Sequence, residues 1–400
     1  MNLLKYRKFG SINFEVSALG FGAMRLPTRR KSMLSRVNTK EAIKIIRSGI
    51  NQGINYIDTA WPYHLGGSEK VIGEALKDGY REKVFLVTKS PVFILRKSED
   101  FDKYLKQQLE RLQVDYVDGY LLHGLSRRRL KKVKELDLIN KMIEAKEKGL
   151  IKYIGFSFHD TLPVFKEILE LYNWDICQIQ YNYMDTGLQA TTEGLKLAHE
   201  KGIATVIMEP LKGGQLANPP EEALEIMKKT KIKRTPVDWA LQFLWNLPEV
   251  DTVISGMGSQ QMVDENCQSA EKSGINSLNE DDISIINQLA EIYRKKILVP
   301  CTACQYCMPC PYGVDIPDNF AILNNYNQDK GIRKWLTRRK YKTLESRRNR
   351  INLENPNGNA TLCAKCNECI EKCPQEIQIP DELEKVHAIL GEKKNVSDYY

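Results

Sequence analysis

Up to about residue 290, short apolar runs alternate with longer amphipathic stretches. The short runs Ala18–Phe21, Asn55–Ile57, Val84–Thr88, Val117–Leu122, Tyr153–Phe156, Ile176–Gln180, Ile203–Met208 and Thr252–Ile254 predict eight strands. Between them, apolar residues recur at helical spacing over Thr39–Gln52, Ser98–Leu112, Leu136–Lys148, Leu162–Leu171, Thr191–Lys201 and Val237–Trp245. Eight β/α repeats in this span predict a closed parallel (β/α)8 barrel, with a doubly wound sheet as the alternative. The doubly wound reading lacks its phosphate-binding fingerprint, because Gly20-Phe21-Gly22-Ala23-Met24 has no third glycine. The pattern changes near residue 295. Glu280–Lys296 reads as a helix, and Val299-Pro300 leads into a cysteine-rich stretch. Residues 312–362 look partly helical, with Ile332, Trp335 and Leu336 on one face, and 355–359 reads as a loop. These shifts predict a barrel domain at residues 1–294 and a small second domain at 295–400, with no internal repeat beyond the β/α alternation.

Composition narrows the class. The chain has 400 residues and is 42% hydrophobic, enough for a large core and incompatible with a disordered chain. No apolar run approaches the roughly 18 residues needed to span a bilayer, and MNLLKYRK has no apolar signal region, so a cytoplasmic location is expected. The net charge of +8 is concentrated. Lys330, Arg333, Lys334, Arg338, Arg339, Lys340, Lys342, Arg347, Arg348 and Arg350 face one acid, Glu345, so this stretch alone exceeds the charge of the whole chain. It reads as a solvated helix face or as a surface that attracts an acidic electron carrier; nucleic acid is not expected, because no recognised motif accompanies the charge.

Catalytic residues of a β/α barrel belong at the C-terminal ends of its strands. Asp58, Lys89 and His123 end the second, third and fourth runs, and Tyr63 follows Asp58 in the next loop. Singly, each has an ordinary structural reading: helix cap, surface charge, core imidazole. Together they form a pattern. The segments Asn55-Tyr56-Ile57-Asp58-Thr59-Ala60, Tyr63, Gly67-Ser68-Glu69, Val87-Thr88-Lys89, Tyr120-Leu121-Leu122-His123, Gly155-Phe156-Ser157, Gln178-Ile179-Gln180-Tyr181-Asn182, Gly256 and Glu265-Asn266 resemble the aldo/keto reductase family, in its order and over nearly all of residues 5–270.

The resemblance implies a tetrad of Tyr63, Asp58, Lys89 and His123 for hydride transfer to a small carbonyl substrate. Charge grows on the carbonyl oxygen, so a proton must be supplied there. A phenol with a pKa near ~10 transfers it better when a neighbouring ammonium stabilises the phenolate. That is the work expected of Lys89. Asp58 would compensate the buried ammonium, and His123 would donate to the carbonyl oxygen. The resemblance also implies a nicotinamide cofactor, NADP or NAD, contacted by Gly22, Ser157, Gln178, Met208, Leu211, Gly213, Gly256, Glu265 and Asn266. Ser157 and Gln178 would hold the carboxamide, and Met208 stands where the family commonly stacks an aromatic. Met262 replaces a Gln or Arg, leaving no obvious clamp for a 2′-phosphate.

Eight of the ten cysteines fall in two runs: Cys301, Cys304, Cys307 and Cys310-Pro311, then Cys363, Cys366, Cys369 and Cys373-Pro374. Without a secretory signal such runs are metal ligands rather than disulfides. A zinc site with four cysteine ligands is the competing assignment. The spacing, with a proline after each fourth cysteine, matches the bacterial ferredoxin pattern for [4Fe–4S] clusters. The usual crossing of that pattern implies one cluster on Cys301, Cys304, Cys307 and Cys373, and a second on Cys363, Cys366, Cys369 and Cys310. The whole chain then resembles aldo/keto reductases with a C-terminal, mainly α-helical ferredoxin-like domain. Cys177 and Cys267 read as buried small hydrophobes.

A nicotinamide moves two electrons and a cubane one, so the clusters do not follow from the barrel's chemistry and a flavin partner commonly mediates. Three readings stand: a carbonyl reductase whose clusters exchange electrons with an acidic carrier or flavin partner, one whose clusters are structural or redox-sensing, and an electron-transfer protein whose barrel binds nucleotide without carbonyl turnover. The Arg- and Lys-rich stretches Arg25–Val37 and Gly124–Glu135 are expected to shape substrate choice.

Overall fold

The computed structural model describes residues 4–28, 36–346 and 357–400. Most of the Arg25–Val37 stretch and the start of the 355–359 loop lie outside the described residues. Packing divides the chain into two units: unit 1 runs to Leu211 and includes Val237–Asp282, and unit 2 comprises Lys212–Pro236 and Ile283–Tyr400.

In unit 1 the eight apolar runs become β3 (Leu19–Gly22), β4 (Tyr56–Asp58), β5 (Phe85–Ser90), β6 (Val117–Leu125), β7 (Ile151–Phe158), β8 (Ile176–Gln180), β9 (Ala204–Met208) and β10 (Thr252–Ser255). They pair in sequence order, all parallel, and β10 closes on β3 through Val253 opposite Leu19. Parallel strands covered on both faces need nearly continuous apolar sequence, which is why these runs were legible as strands. The helices α1 (Thr39–Asn51), α2 (Gly67–Ala75), α3 (Glu99–Leu112), α4 (Arg127–Glu135), α5 (Leu138–Glu147), α6 (Leu162–Leu169) and α7 (Thr191–Glu200) alternate with them, and α9 (Pro236–Trp245) and α10 (Gln260–Glu271) flank β10. The first barrel strand is preceded by an antiparallel hairpin, β1 (Tyr6–Phe9) and β2 (Ile12–Ser17), that the hydrophobic pattern does not announce. Its apolar side chains Phe9, Ile12 and Val16 cluster with Tyr56, Phe85, Leu121 and Ile176. The Phe9 and Phe85 rings meet edge-on at 5.2 Å. Thus the strand ends that begin the barrel are filled, and the opposite ends carry the polar residues.

Unit 2 contains α8 (Glu221–Lys229), most of α11 (Glu280–Lys296), α12 (Ile316–Gln328), α13 (Gly331–Ser346) and α14 (Ile379–Leu390). The expected boundary at residue 295 and the division of packing at Asp282 differ by most of a helix. The reason is local: Tyr293 donates to the Leu216 carbonyl at 3.1 Å and Lys296 pairs with Glu222 at 3.2 Å. A small core of Val314, Ile316, Phe320, Leu323, Ile379, Leu383 and Val386 joins α12 to α14.

The expectation of no further internal repeat is corrected by the backbone. Left-handed residues flank the second cysteine of each run, Ala303 and Gln305 about Cys304, Lys365 and Asn367 about Cys366. Each final Cys-Pro is followed by one more left-handed residue, Gly313 or Glu376. Then Val314-Asp315-Ile316-Pro317-Asp318 and Ile377-Gln378-Ile379-Pro380-Asp381 open α12 and α14, each with proline in the first turn. Unit 2 contains two copies of one loop-and-helix element, ending in α12 and α14. Among the described residues no helix is long and apolar enough to cross a membrane.

Candidate active site and cysteine centre

The parallel register brings Asp58, Lys89 and His123 to the same end of the barrel. Gly22 pairs with Asp58, Asp58 with Val87, and Lys89 with Leu121. Lys89 Nζ donates to Asp58 Oδ2 at 2.5 Å and to the Thr59 carbonyl at 2.9 Å, with both charged side chains buried. Burial is the larger influence on each, pushing the Asp58 carboxyl up and the Lys89 ammonium down, and the partner's charge opposes it. Tyr63 opens a one-turn helix, Tyr63–Gly66, whose His64 (φ 52°) and Leu65 (φ 55°) are left-handed. Such conformations cost of order 1–3 kcal/mol each and persist where the surroundings enforce them. Here the turn holds the Tyr63 ring with its centroid 5.3 Å from Lys89 Nζ and 6.1 Å from the His123 ring. His123 is held well below the ordinary histidine range by burial first, then by the charges of Lys89 and Arg129. It is a neutral imidazole, able to donate from one nitrogen. Phe93, exposed after β5, lies 6.2 Å from that ring, and the Arg129 guanidinium lies 5.7 Å from Phe93.

A second set of polar groups braces these four. Glu69 on α2 is fully buried and accepts from Thr88 Oγ1 (2.8 Å), Gln108 Nε2 (2.6 Å) and Arg111 Nη1 (3.1 Å). Gln108 also donates to the Lys89 carbonyl at 3.1 Å and accepts from Tyr120 at 2.7 Å. Arg111 stacks 3.6 Å from the Trp61 ring and fills the space where a side chain on Gly66 would stand. One buried carboxylate therefore ties the β5 backbone to the turn bearing Tyr63. Glu69 was visible in the sequence only as part of the family resemblance, and Gln108 and Arg111 carried no signal beyond helical periodicity.

The expected cofactor residues fall in separate parts of the fold. Ser157 and Gln178 are paired in the β7–β8 register, and Gln178 in turn faces Val206 on β9. Ser157 Oγ accepts from the Gly124 amide at 2.7 Å, and Gln178 Nε2 lies 3.6 Å from Met208 Sδ. Gln178 Oε1 is buried with no hydrogen-bond partner among the described residues. An unpaired buried acceptor is costly, and it fits the N–H of a carboxamide. Gly22 ends β3 beside the Ser255 carbonyl. Asn266 is buried and donates to Ser255 Oγ at 3.1 Å, Glu265 is exposed and accepts from Gln261 at 2.7 Å, and Gly256 is exposed. Arg25, three residues beyond Gly22, lies across this loop: a Cβ on Gly256 would come within 2.7 Å of Arg25 Cγ. The sequence had offered no cation here; Arg25 supplies one. Leu211 is half-buried, while Gly213 (φ 65°) lies in unit 2 against the first cysteine loop, where a Cβ would come within 2.1 Å of the Thr302 carbonyl oxygen. Beside it, Gln215 Nε2 donates to the Cys301 carbonyl at 2.5 Å.

The cysteines fall into two quartets that cross the two runs. One pocket is lined by Cys301, Cys304, Cys307 and Cys373, with Ile316, Pro317 and Phe320. The other is lined by Cys310, Cys363, Cys366 and Cys369, and Cys307 lines it as well. Burial first, then Cys304, Cys301, Cys373 and Cys369, push Cys307 up, whereas Cys369, pushed up to about 11 by burial, feels Cys363, Cys366 and Cys310. All-sulfur donors on loops wound the same way fit iron–sulfur clusters. Among the described residues no three His, Cys, Asp or Glu side chains close around a point as a single ion requires. Asp315 caps α12 one residue before Ile316, and its carboxyl is raised to about 6, by burial first and then by Asp318.

Comparisons with known proteins agree. Residues 18–291 match the aldo/keto reductase family, and residues 300–379 match the 4Fe-4S dicluster domain. The chain is 30% identical over 302 residues to the uncharacterized oxidoreductase YqkF of Bacillus subtilis, covering 67% of this chain and 91% of that protein. The holo form of aldo-keto reductase AKR11C1 from Bacillus halodurans is 28% identical, with a TM-score of 0.60 over 72% of this chain and 96% of that one. An aldo-keto reductase from Klebsiella pneumoniae in complex with NADPH, 23% identical, shares the fold with a TM-score of 0.58 over 72% of this chain and 95% of that one. The chain belongs to the aldo/keto reductase family and carries a C-terminal 4Fe-4S dicluster domain.

Proposed function

We propose that the barrel reduces an aldehyde or ketone to an alcohol at the Tyr63, Lys89, Asp58 and His123 cluster, and that unit 2 carries two [4Fe–4S] clusters that exchange electrons. The observation that carries the reading is the buried Lys89–Asp58 pair at 2.5 Å with the Tyr63 ring beside its ammonium. When bound, a reduced nicotinamide supplies the hydride, and a cubane supplies a store for one electron. The chain's own residues do the rest. Neutral His123 donates to the carbonyl oxygen, which fixes the substrate's reactive face and polarises it. Tyr63 delivers the proton to that oxygen as charge grows there, and the Lys89 ammonium stabilises the phenolate left behind. Asp58 keeps Lys89 in place and compensates its charge. Gln178 Oε1 and Ser157 are the groups proposed to hold the carboxamide. Cys301, Cys304, Cys307 and Cys373 are the proposed ligands of one cluster, and Cys310, Cys363, Cys366 and Cys369 of the other.

Two measurements on anaerobically purified protein test this. Tyr63→Phe should lower aldehyde-dependent oxidation of NADPH by about 10²- to 10⁴-fold while leaving NADPH binding intact; undiminished turnover removes the Tyr63 role. Iron and sulfide counts should approach about eight each per chain. Cys373→Ala should remove about half of the iron, and the remaining cluster should keep the signal of a protein intact at Cys363, Cys366, Cys369 and Cys310.

A further inference from the structure

α13 (Gly331–Ser346) presents two unlike faces. One packs into unit 2: Tyr341 is fully buried with its hydroxyl 2.9 Å from His387 Nδ1, and Arg338 donates to the Tyr326 hydroxyl at 2.6 Å and to the Ile389 carbonyl at 3.2 Å. The other face carries Ile332, Trp335 and Leu336, which are 74%, 58% and 50% exposed. These three stand at helical spacing i, i+3 and i+4, so they form one contiguous apolar patch. Large apolar side chains scattered singly on a surface need no explanation, but three adjoining ones mark an interaction site. The patch is framed by exposed Arg333, Arg339, Lys340 and Lys342, and the Arg339 guanidinium lies 5.5 Å from the Trp335 ring. Lys330, at the start of the helix, is exposed and pairs with Glu222 at 3.4 Å. No described residue from Gly331 to Leu344 is acidic. Arg347, Arg348 and Arg350 lie outside the described residues.

A tryptophan centred in a ring of arginine and lysine has the composition of a protein-binding hot spot with a cationic rim. The rim selects an acidic partner, because charge complementarity raises the encounter rate and rejects basic surfaces. Position adds the partner's chemistry. α13 packs against α12, and Ile316, the first residue of α12, lines both cysteine pockets. Cys366 is itself exposed, so the second quartet reaches the surface.

We infer that the Ile332–Trp335–Leu336 face of α13 docks a small acidic protein that carries one electron at a time. The inference rests on the reading of unit 2 as an electron-transferring cluster unit. In the exchange, one electron leaves the reduced carrier, which is oxidised by one, and one cluster is reduced by one; no bond is made or broken.

The test uses the anaerobically purified holoprotein and a plant-type [2Fe–2S] ferredoxin as the acidic probe, with binding measured by titration calorimetry. One-to-one binding at 50 mM NaCl should weaken at least tenfold at 300 mM. Trp335→Ala and the double charge reversal Arg339→Glu/Lys340→Glu should each weaken it at least tenfold. All three substitutions are on the surface, and the cluster absorbance of each variant reports that unit 2 is intact. NADPH-dependent aldehyde reduction should be unchanged in both. No ferredoxin binding at 50 mM NaCl overturns the inference, as does equal binding by the variants. Binding of phosphatidylglycerol vesicles in place of ferredoxin, lost in Trp335→Ala, would assign the face to a membrane and also overturn it. Failure of the cluster reading shows instead in the unsubstituted protein, as iron and sulfide counts well below about eight per chain or clusters that dithionite does not reduce, neither of which depends on α13.

Discussion

Lys89 and Asp58 meet at 2.5 Å inside the barrel, with side chains only 1% and 2% exposed. Each charge is tolerable because of the other. Removing one partner of a buried pair leaves an uncompensated charge and typically costs about 3–5 kcal/mol. Asp58→Asn should therefore lower the stability of the barrel by about 3 kcal/mol, read from urea unfolding, and should depress turnover. Lys89→Met/Asp58→Asn should recover much of that stability without recovering turnover. Additive losses in this cycle would show that the two side chains do not act as a pair.

Gly213 and Thr302 define the second relationship. Gly213 has φ 65°, and a Cβ there would come within 2.1 Å of a backbone oxygen that cannot swing aside. Thr302 stands between Cys301 and Cys304. Gly213→Ala should push this loop away and release iron from the quartet of Cys301, Cys304, Cys307 and Cys373. Chain-bound iron should fall by about half. Gln215→Ala, which removes only the bond to the Cys301 carbonyl, should have a smaller effect of the same sign. Full iron content in Gly213→Ala would show that the loop tolerates the displacement.

Acid should weaken the barrel through its histidines. Half-buried His159 is lowered to about 4 by burial and by Arg129, and buried His123 is held well below the ordinary range. Both are neutral when folded, while the unfolded residues titrate near ~6.5. Below that value the unfolded chain binds more protons, so stability is complete above about pH 6.5 and falls as the pH drops toward 4. The expected loss from His159 is no more than about 2 kcal/mol between pH 7 and pH 4.5, after allowance for solvent at a partly exposed ring. His159→Gln should flatten the pH dependence of the urea midpoint, and an unchanged slope would remove His159 as a cause. Because His123 stays neutral across this range, its titration should not appear in the turnover profile between pH 6 and pH 8.

The barrel strands were legible because burial on both faces leaves a run such as Ile176–Gln180 or Ala204–Met208 little room for solvated residues. Asp58, Lys89 and His123 were legible for a related reason: a charge at the end of an apolar run stands out. Their supports were not. Glu69 meets Gln108 and Arg111 only because α2 and α3 pack side by side, and the left-handed turn puts His64 and Leu65, not only Gly66, at positive φ. The hairpin Tyr6–Ser17 was missed because its strands mix Lys, Arg, Asn and Glu with the apolar residues that face the barrel. In unit 2 the two cysteine runs were read as motifs, but the repeat was not, because its second half lies in left-handed backbone and in the Ile-Pro-Asp start of two helices rather than in a hydrophobic period. The helix bearing Trp335 was foreseen, while the exposure of its apolar face was not; periodicity reports that residues share a face and says nothing of what covers it.

Arg25 and Gly256 carry the last expectation. The family resemblance left the expected adenine end of the cofactor site without an obvious clamp, since Met262 occupies the position where an Arg or Gln is common, and Met262 is 50% exposed. The fold brings one from elsewhere. Arg25 follows β3, a neighbour of β10 in the closed barrel, and its side chain lies across Gly256, with its carbonyl close to Gly258. Next in the chain, Ser259 caps the helix Gln260–Glu271 by accepting from the Met262 amide at 3.3 Å. A helix N-terminus whose preceding loop is crossed by an arginine side chain suits a phosphate oxygen. A charge-assisted bond of this kind is worth about 1.5–3 kcal/mol, so Arg25→Gln should weaken NADPH binding by roughly tenfold or more. Gly256→Ala should do the same more mildly, by displacing a flexible side chain rather than deleting it. Fluorescence titration with NADPH measures both, and urea unfolding separates them from a loss of fold. Binding that is unchanged in Arg25→Gln would place the phosphates away from this loop.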